Sequence, residues 1–195
     1  MIKFLRRTQP EEPGVSEHAL KVYEGLKIPK TRELNFPAIA SAVRKKIDIL
    51  QNREKKLKML RTIATLRMPW VPVVLFDLLD DPNEEIRDIA VRELARRDDW
   101  PVEKAYQRLG RPPWYAKSAI LKILSRKKCG DAVLHIMPLL NDPNVDVRRC
   151  AAEALGEIGG LEARALLVRL AKDRNLYVRR VAQDALDKVC DLKFS

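Results

Sequence analysis

The sequence has little of the material that supports metal, redox or disulfide chemistry. Only three cysteines and two histidines occur among its 195 residues. The cysteines, Cys129, Cys150 and Cys190, are odd in number and form no CxxC pair, which favours a reduced, intracellular protein. Neither histidine is followed by glutamate, and no glycine-rich phosphate loop or metal-ligand spacing is present. We therefore expect no catalytic residue, no bound metal and no cofactor.

Long apolar runs are also missing. No run approaches the roughly 18 apolar residues that a transmembrane helix needs. The first seven residues are basic and apolar, but Pro10 and Pro13 follow too soon for a signal peptide. These absences predict a cytoplasmic protein. Glycine is scarce, at seven residues, and aromatic residues make up only 6% of the chain, whereas Lys, Arg, Glu, Leu and Ala are abundant and favour helix.

Positive charge is concentrated at one end of the chain. The formal net charge is +11, and residues 1–70 hold 16 Lys and Arg against 7 Asp and Glu. Residues 71–195 hold 22 against 20, so their charge nearly cancels. A basic surface that could bind a partner is therefore expected only in the N-terminal third of this chain.

A short pattern recurs along the rest of the chain. It consists of an Asp, a turn, and an Arg six residues after the Asp, followed by Ala and Leu at helical spacing. The clear copies lie 61 and 31 residues apart, which predicts a hidden copy near residue 112, where Arg111 replaces the Asp and Lys117 replaces the Arg. The three clear pairs are Asp81 with Arg87, Asp142 with Arg148, and Asp173 with Arg179.

A period of about 31 residues fits two helices and two turns in each repeat. First helices are expected at 70–80, 101–109, 130–140 and 161–172, and second helices at 83–97, 113–126, 144–158 and 175–190. A further pair is expected at 38–50 and 53–67. The predicted core residues are Ile86, Ala90, Leu94, Val147, Ala151, Leu155, Val178, Ala182 and Leu186, with Cys150 in the column of Ile89, Ala119 and Val181.

The pattern resembles HEAT repeats, most closely the short bacterial repeats of the phycobilisome-lyase type. Asp142-Pro143, Val147-Arg148 and Ala151-Ala152 carry the resemblance, which covers residues 70–190. It implies an all-α, right-handed α-solenoid of about four to five helical hairpins. The implied organisation is an extended or partly ordered segment at 1–37 and a solenoid at 38–195, in which 38–68 form a divergent first repeat or cap and 69–195 form four repeats.

The resemblance also implies a structural role for the three Asp–Arg pairs. In HEAT repeats such Asp and Arg side chains join one repeat to the next, so we interpret them as structural. The second helices line the concave face in similar proteins, and the residues expected there carry mixed charge, which disfavours nucleic acid on that face. We expect aromatic and basic residues of those helices to bind a protein: Trp114, Tyr115, Arg149, Tyr177 and Arg180. Ser118 is expected to point outward there, and Trp70 and Trp100 to pack in seams.

A basic cluster marks the expected first helical pair. Its members could contact nucleic acid, an anionic membrane surface or an acidic protein, or could form a solvated outer face. They are Arg44, Lys45, Lys46, Arg53, Lys55, Lys56, Lys58 and Arg61.

These observations favour a non-catalytic cytoplasmic scaffold or adaptor that binds another protein through its concave face. Nucleic-acid binding through the basic helical pair is the alternative, and a bilin lyase or chaperone is a third hypothesis that only the repeat subtype suggests.

Cys129 lies beside Lys127 and Lys128, which predicts a lowered pKa for its thiol. No residue that would orient the thiol is visible in the sequence.

Overall fold

A computed structural model describes residues 36–191. Between those residues all regular structure is α-helix or 3₁₀ turn, with no β-strand, so the predicted all-α class is confirmed. The chain divides into two compact units, with the boundary between Val74 and Leu75. The extended segment predicted at 1–37 lies outside the described residues except for its last two, which begin a helix. The finer domain bounds stay predictions.

The first unit contains a helical hairpin, as the spacing of apolar residues predicts. Helix α1 spans Phe36–Ile49 and packs against α2, which spans Arg53–Ala64. The side chain of Asn52 caps α2 by accepting the Lys55 N–H at 3.0 Å, so a donor that the helix leaves unpaired is satisfied. Val43 and Ile47 of α1 and Leu60 of α2 are fully buried or nearly so.

The remaining helices follow the 31-residue period. Helix α3 crosses the boundary between the units and continues as a 3₁₀ turn. Helix α7 also continues as a 3₁₀ turn, because Pro138, which has no N–H, stands where the α-helical hydrogen bonds would continue. Each predicted helix is present with small shifts at its ends. The elements are α3 (Val71–Asp77), a 3₁₀ turn (Leu78–Asp80), α4 (Glu84–Arg96), α5 (Val102–Leu109), α6 (Trp114–Arg126), α7 (Ala132–Ile136), a 3₁₀ turn (Met137–Asn141), α8 (Val145–Ile158), α9 (Gly160–Leu170) and α10 (Leu176–Asp191).

The second helices form one continuous layer in the second unit. Helix α4 packs on α6, α6 on α8, and α8 on α10. Their inward side chains are buried as predicted, with Leu94, Ala151 and Leu155 fully so. Two expectations were wrong, because Leu186 and Val181 on α10 are only half-buried. Among the described residues no further repeat covers α10, so its outer side keeps contact with solvent.

Helices α8 and α10 approach each other closely at one point. A Cβ placed on Gly156 would lie 2.7 Å from the Cβ of Ala185, far inside van der Waals contact. The small residues at this crossing therefore set the distance between the last two second helices, and the side chains around them fill the seam.

Candidate functional site

Each clear copy of the repeated pattern builds the same turn before a second helix. The Asp142 carboxylate accepts the Asn144 N–H at 2.9 Å, and the Asn144 side chain in turn accepts the Asp146 N–H at 2.8 Å. Asp81 with Asn83, and Asp173 with Asn175, repeat both bonds. The Asp therefore fixes the turn and the Asn caps the helix.

The Arg six residues after the Asp reaches back into this turn. Arg148 Nη1 donates to the carbonyl oxygen of Asp142 at 2.8 Å, and Arg87 and Arg179 donate to the equivalent carbonyls of Asp81 and Asp173 at the same distance. A carbonyl of the turn thus receives a charged donor in each clear copy. Contacts within a single repeat therefore account for the six-residue spacing between the Asp and the Arg.

Arg148 also joins its repeat to the next one. Its Nε and Nη2 donate to the two carboxylate oxygens of Asp173 at 2.7 and 3.1 Å, and the side chains are 3% and 7% exposed. Lys117 makes the equivalent junction one repeat earlier, where its Nζ lies 2.7 Å from Asp142 Oδ2. We call these two pairs the junction pairs. They confirm that the pattern stitches neighbouring repeats together.

The junction shifts the titration of its members. The hydrogen bonds to Asp173 raise the pKa of Arg148 further, against the opposing effect of burial. Burial raises the pKa of Asp173, but the hydrogen bonds from Arg148 and the Asn175 N–H, with the charges of Arg148 and Arg174, bring it below its usual value. The pair is therefore ionised at neutral pH.

The degenerate repeat changes the junction before α6. Arg111 stands where an Asp would accept from Arg87, and the Arg87 guanidinium instead lies 4.7 Å from the centroid of the Tyr115 ring. The Tyr115 hydroxyl donates to the Asp80 carbonyl at 3.4 Å, and Arg108 pairs with the Asp80 carboxylate at 2.7 Å. A cation–π contact and an exposed ion pair thus replace the buried carboxylate.

A groove of about 240 Å³ opens between α4, α6 and α8. Trp114 and Tyr115 form one wall, and Val91, Ala119 and Cys150 contribute apolar surface. The charges around it alternate in sign, and the pairs between them are loose: Lys122 lies 3.9 Å from Asp88, and Arg149 lies 3.5 Å from Asp146. We call it the second-helix groove. Its lining is Glu84, Arg87, Asp88, Val91, Trp114, Tyr115, Ser118, Ala119, Lys122, Asp146, Arg149 and Cys150.

The structure brings together three of the five predicted protein-binding residues. Trp114, which is 44% exposed, Tyr115, which is half-buried, and Arg149 all line the groove. Tyr177, at 61% exposure, and Arg180 are on the surface of α10 and do not line it. Trp70 and Trp100 are buried, in keeping with the structural interpretation of both.

Ser118 and Cys129 correct the sequence-based expectations, whereas Cys150 is buried as its column predicts. Ser118 was expected to point outward, but it is buried, because the close packing of α8 on α6 covers that column. Its Oγ has no hydrogen-bond partner of good geometry among the described residues, although it acts on the Cys150 thiol to lower its pKa. Burial outweighs that effect and raises the pKa of Cys150 overall. Burial also raises the pKa of Cys129, so the lowered value expected from Lys127 was wrong.

The basic cluster lies on α1 and α2. Lys45, Lys55 and Lys58 are exposed, and their side chains have no partner among the described residues. Arg53 and Arg61 are exposed as well, whereas Arg44, Lys46 and Lys56 are half-buried. Arg44 pairs with Asp48 at 3.1 Å. The exposed part of the cluster is therefore smaller than the sequence suggests.

Sequence reasoning missed much of the groove lining. Glu84 and Asp146 line the groove with Trp114 only because neighbouring second helices pack side by side. Helical spacing identifies the residues that share one face of a helix, as for Lys122, but it does not show which faces of neighbouring helices meet. No three His, Cys, Asp or Glu side chains of residues 36–191 converge to form a metal site. In the same range no helix is both long and apolar enough to cross a membrane.

Comparison with known proteins finds a repeat family that matches the C-terminal part of the chain. Residues 102–187 match the family model for HEAT repeats. No curated protein sequence matches the chain. Among solved structures, one engineered protein is 17% identical, with 93% of each chain covered and a TM-score of 0.43, and a second is 15% identical, with 87% of this chain and 98% of that one covered and a TM-score of 0.41.

A third similar structure is the complex of CpcE and CpcF of phycocyanin lyase from Nostoc sp. PCC7120. It is 20% identical to this chain, covers 93% of this chain and 80% of its own, and has a TM-score of 0.36.

Proposed function

We propose that the protein is a non-catalytic scaffold that binds another protein through the second-helix groove, and the match of residues 102–187 to the HEAT-repeat model supports the scaffold. The observation that carries the proposal is that the exposed Trp114 and the half-buried Tyr115 both line that groove. Tryptophan and tyrosine are concentrated at the energetic centres of protein interfaces. A surrounding rim of polar side chains is the usual arrangement of such centres.

The loose ion pairs around the groove support a protein partner. Pairs of exposed charges contribute little to stability, so their side chains can turn to a partner at low cost. Arg149 already divides its guanidinium between Asp146 and Glu153. A partner that presents both signs of charge would match Asp88 and Lys122. The three acids and three bases of the lining balance, so the groove offers no net positive charge to the phosphates of nucleic acid.

The thiols support the non-catalytic part of the proposal. A cysteine nucleophile needs a lowered pKa, because the thiolate is the reactive form. Burial raises the pKa of both Cys129 and Cys150 instead. We therefore infer that Cys150 supplies apolar groove surface.

Affinity capture from native cells at moderate salt, with and without nuclease, tests the proposal. The test variant combines Trp114→Ala with Arg149→Glu. The control combines Leu134→Ala with Arg164→Glu, which likewise removes one exposed apolar side chain and reverses the charge of one arginine, outside the groove. The test variant should lose the captured protein and the control should keep it, with or without nuclease. Equal capture by both variants, or capture that nuclease abolishes, would refute the groove as a protein site.

Intrinsic fluorescence gives a direct reading of binding. Of the three tryptophans, Trp70 and Trp100 are buried and Trp114 alone is substantially exposed. Titration with the captured protein should therefore shift the emission to shorter wavelength as Trp114 leaves water. Trp114→Phe should abolish the shift. A shift that persists in Trp114→Phe would place the contact elsewhere.

The exposed lysines of α1 and α2 support a second candidate function, binding of nucleic acid. Lys45, Lys55 and Lys58 project into solvent, and each phosphate neutralised on duplex DNA contributes about −0.9 to the slope of log K against log salt. A gel shift with random duplex at low salt tests it. Lys55→Glu with Lys58→Glu should abolish the shift, and Lys104→Glu with Lys128→Glu, which changes the charge equally, should not. Absence of a wild-type shift would remove this candidate.

A further inference from the structure

A second concavity, distinct from the second-helix groove, lies at the turns that join the last two repeats. It measures about 380 Å³ and is bounded by the turn before α8 and by the end of α9 with the turn that follows it. We call it the turn cavity. The side chains that decide its chemistry are Asp142, Arg148, Arg169, Lys172, Asp173 and Arg174.

Both carboxylates of the turn cavity are already neutralised. Asp173 is held by the two-pronged contact with Arg148, and Asp142 by Lys117 from the preceding repeat. The Oδ1 atoms of both acids also accept backbone N–H groups, Asp173 from Asn175 and Asp142 from Asn144. The two acids therefore have little capacity left to attract a cation or to pair with the basic residues around the cavity.

Three cations of the turn cavity form no close ion pair within the described residues, although the charge of Arg174 acts on Asp173. Arg169, Lys172 and Arg174 are exposed, and none of their side chains forms an ion pair or hydrogen bond within residues 36–191. Lysine and arginine often neutralise the carbonyl end of a helix, and Arg169 in the last turn of α9 is placed to do so. Lys172 and Arg174 come after the helix has ended, so that role does not account for them.

We infer that the turn cavity is a binding site for an acidic segment of a protein partner, held by its Asp and Glu carboxylates. Arginine forks match carboxylates in geometry as well as charge. The volume falls in the range of roughly 300–1,000 Å³ typical of ligand sites, large enough for a few side chains. No aromatic ring lines the cavity to stack on a base. The inference shares with the proposed function only the premise that the partner is a protein.

Fluorescence anisotropy with a labelled six-residue peptide of alternating Asp and Glu tests the inference on the full chain. The test variant carries Arg169→Gln, Lys172→Gln and Arg174→Gln. The control carries Lys104→Gln, Arg126→Gln and Lys128→Gln, which removes three exposed charges outside the cavity. We expect the test variant to bind at least about tenfold more weakly, and the control less than about twofold, because local pairing and not net charge holds the peptide.

Several results would overturn the inference. One is equal weakening in both triple variants, which would show general charge attraction. Another is wild-type protein that binds inorganic phosphate but ignores the peptide. A peptide of alternating Asn and Gln must not bind. Circular dichroism checks folding, and Arg174→Gln alone, which alters only an exposed turn residue, should show part of the loss.

The two sites fail separately. Trp114→Ala should bind the acidic peptide as the wild type does, since Trp114 does not line the turn cavity. Loss of partner capture in the groove variant with peptide binding intact would support both sites. If the peptide binds but no protein is captured, the groove proposal is refuted and the turn-cavity inference stands.

Discussion

At the scale of single residues, Arg148 carries the most concentrated set of polar contacts. One side chain satisfies two carbonyls of its own turn and both oxygens of an Asp in the next repeat. Arg179 makes only the first kind of contact among the described residues. The two arginines thus separate the contribution of the turn from the contribution of the junction.

Arg148→Ala should lower the free energy of unfolding by about 3 kcal/mol or more, because it leaves the Asp173 carboxylate buried without its charge partner. Arg179→Ala should cost less, since it removes hydrogen bonds to carbonyls near the surface and breaks no buried ion pair. Urea denaturation of both variants measures the difference. Equal losses would mean that the junction adds nothing to the turn.

The lowered pKa of Asp173 predicts a dependence of stability on pH. Its folded-state pKa lies below its unfolded value, so the unfolded chain binds more protons in the acid range and stability falls as pH falls. The contribution is complete above about pH 4, the ordinary range of an Asp, and is lost as pH drops through the folded-state value. Asp173→Asn should therefore be less stable than wild type at neutral pH, and the gap should narrow in acid. A gap that is constant with pH would contradict the assignment.

At the scale of helices, the crossing of α8 and α10 leaves no space for a side chain at Gly156. Gly156→Ala would force its new methyl against Ala185, and the gain in helix propensity cannot offset the strain of moving two packed helices. We expect a loss of about 1 to 3 kcal/mol in the free energy of unfolding.

A double variant checks this explanation. Ala185→Gly removes the methyl that clashes, so Gly156→Ala with Ala185→Gly should recover part of the loss. Recovery would be incomplete because the Ala185 Cα lies only 3.3 Å from the added Cβ. Additive losses in the double variant would show that the two residues do not act on each other.

At the scale of the whole molecule, second helices of adjacent repeats pack on each other through the described part of the second unit. Stability in such an array spreads from one repeat to the next. Arg148→Ala should therefore lower the hydrogen-exchange protection of amides in α8, α9 and α10 while leaving α1 and α2 unchanged. Hydrogen exchange followed by mass spectrometry resolves these helices. A uniform loss of protection along the chain would indicate a single cooperative unit.

The fold could be predicted from the sequence because its local determinants repeat. Asp142, Asn144 and Arg148 form one turn through contacts of six residues or fewer, and such contacts leave a spacing that can be seen in the chain. The choice of Asp173 and not Asp142 as the carboxylate partner of Arg148 could not be read from that spacing. It depends on the distance between repeats, which packing sets.

The candidate sites were less accessible for the same reason. Trp114, Tyr115 and Arg149 could be selected by residue type and helical column. The burial of Ser118 and the partial exposure of Leu186 depend on whether a neighbouring helix covers each side chain. The spacing of residues along the sequence does not give that information. The turn cavity went unnoticed because its cations come from a helix end and a loop, where no periodicity marks them.

The junction pairs have a consequence for how such an array grows by gene duplication. Lys117 meets Asp142, and Arg148 meets Asp173, across the same interval of 25 residues. A repeat that holds both the acid in its turn and the base in its helix inherits both halves of a joint, so a duplicated copy would lock onto its parent without any new mutation. The degenerate repeat, with Arg111 in place of the acid, lacks one half of this joint and contacts the preceding repeat through Tyr115 and Arg108 instead.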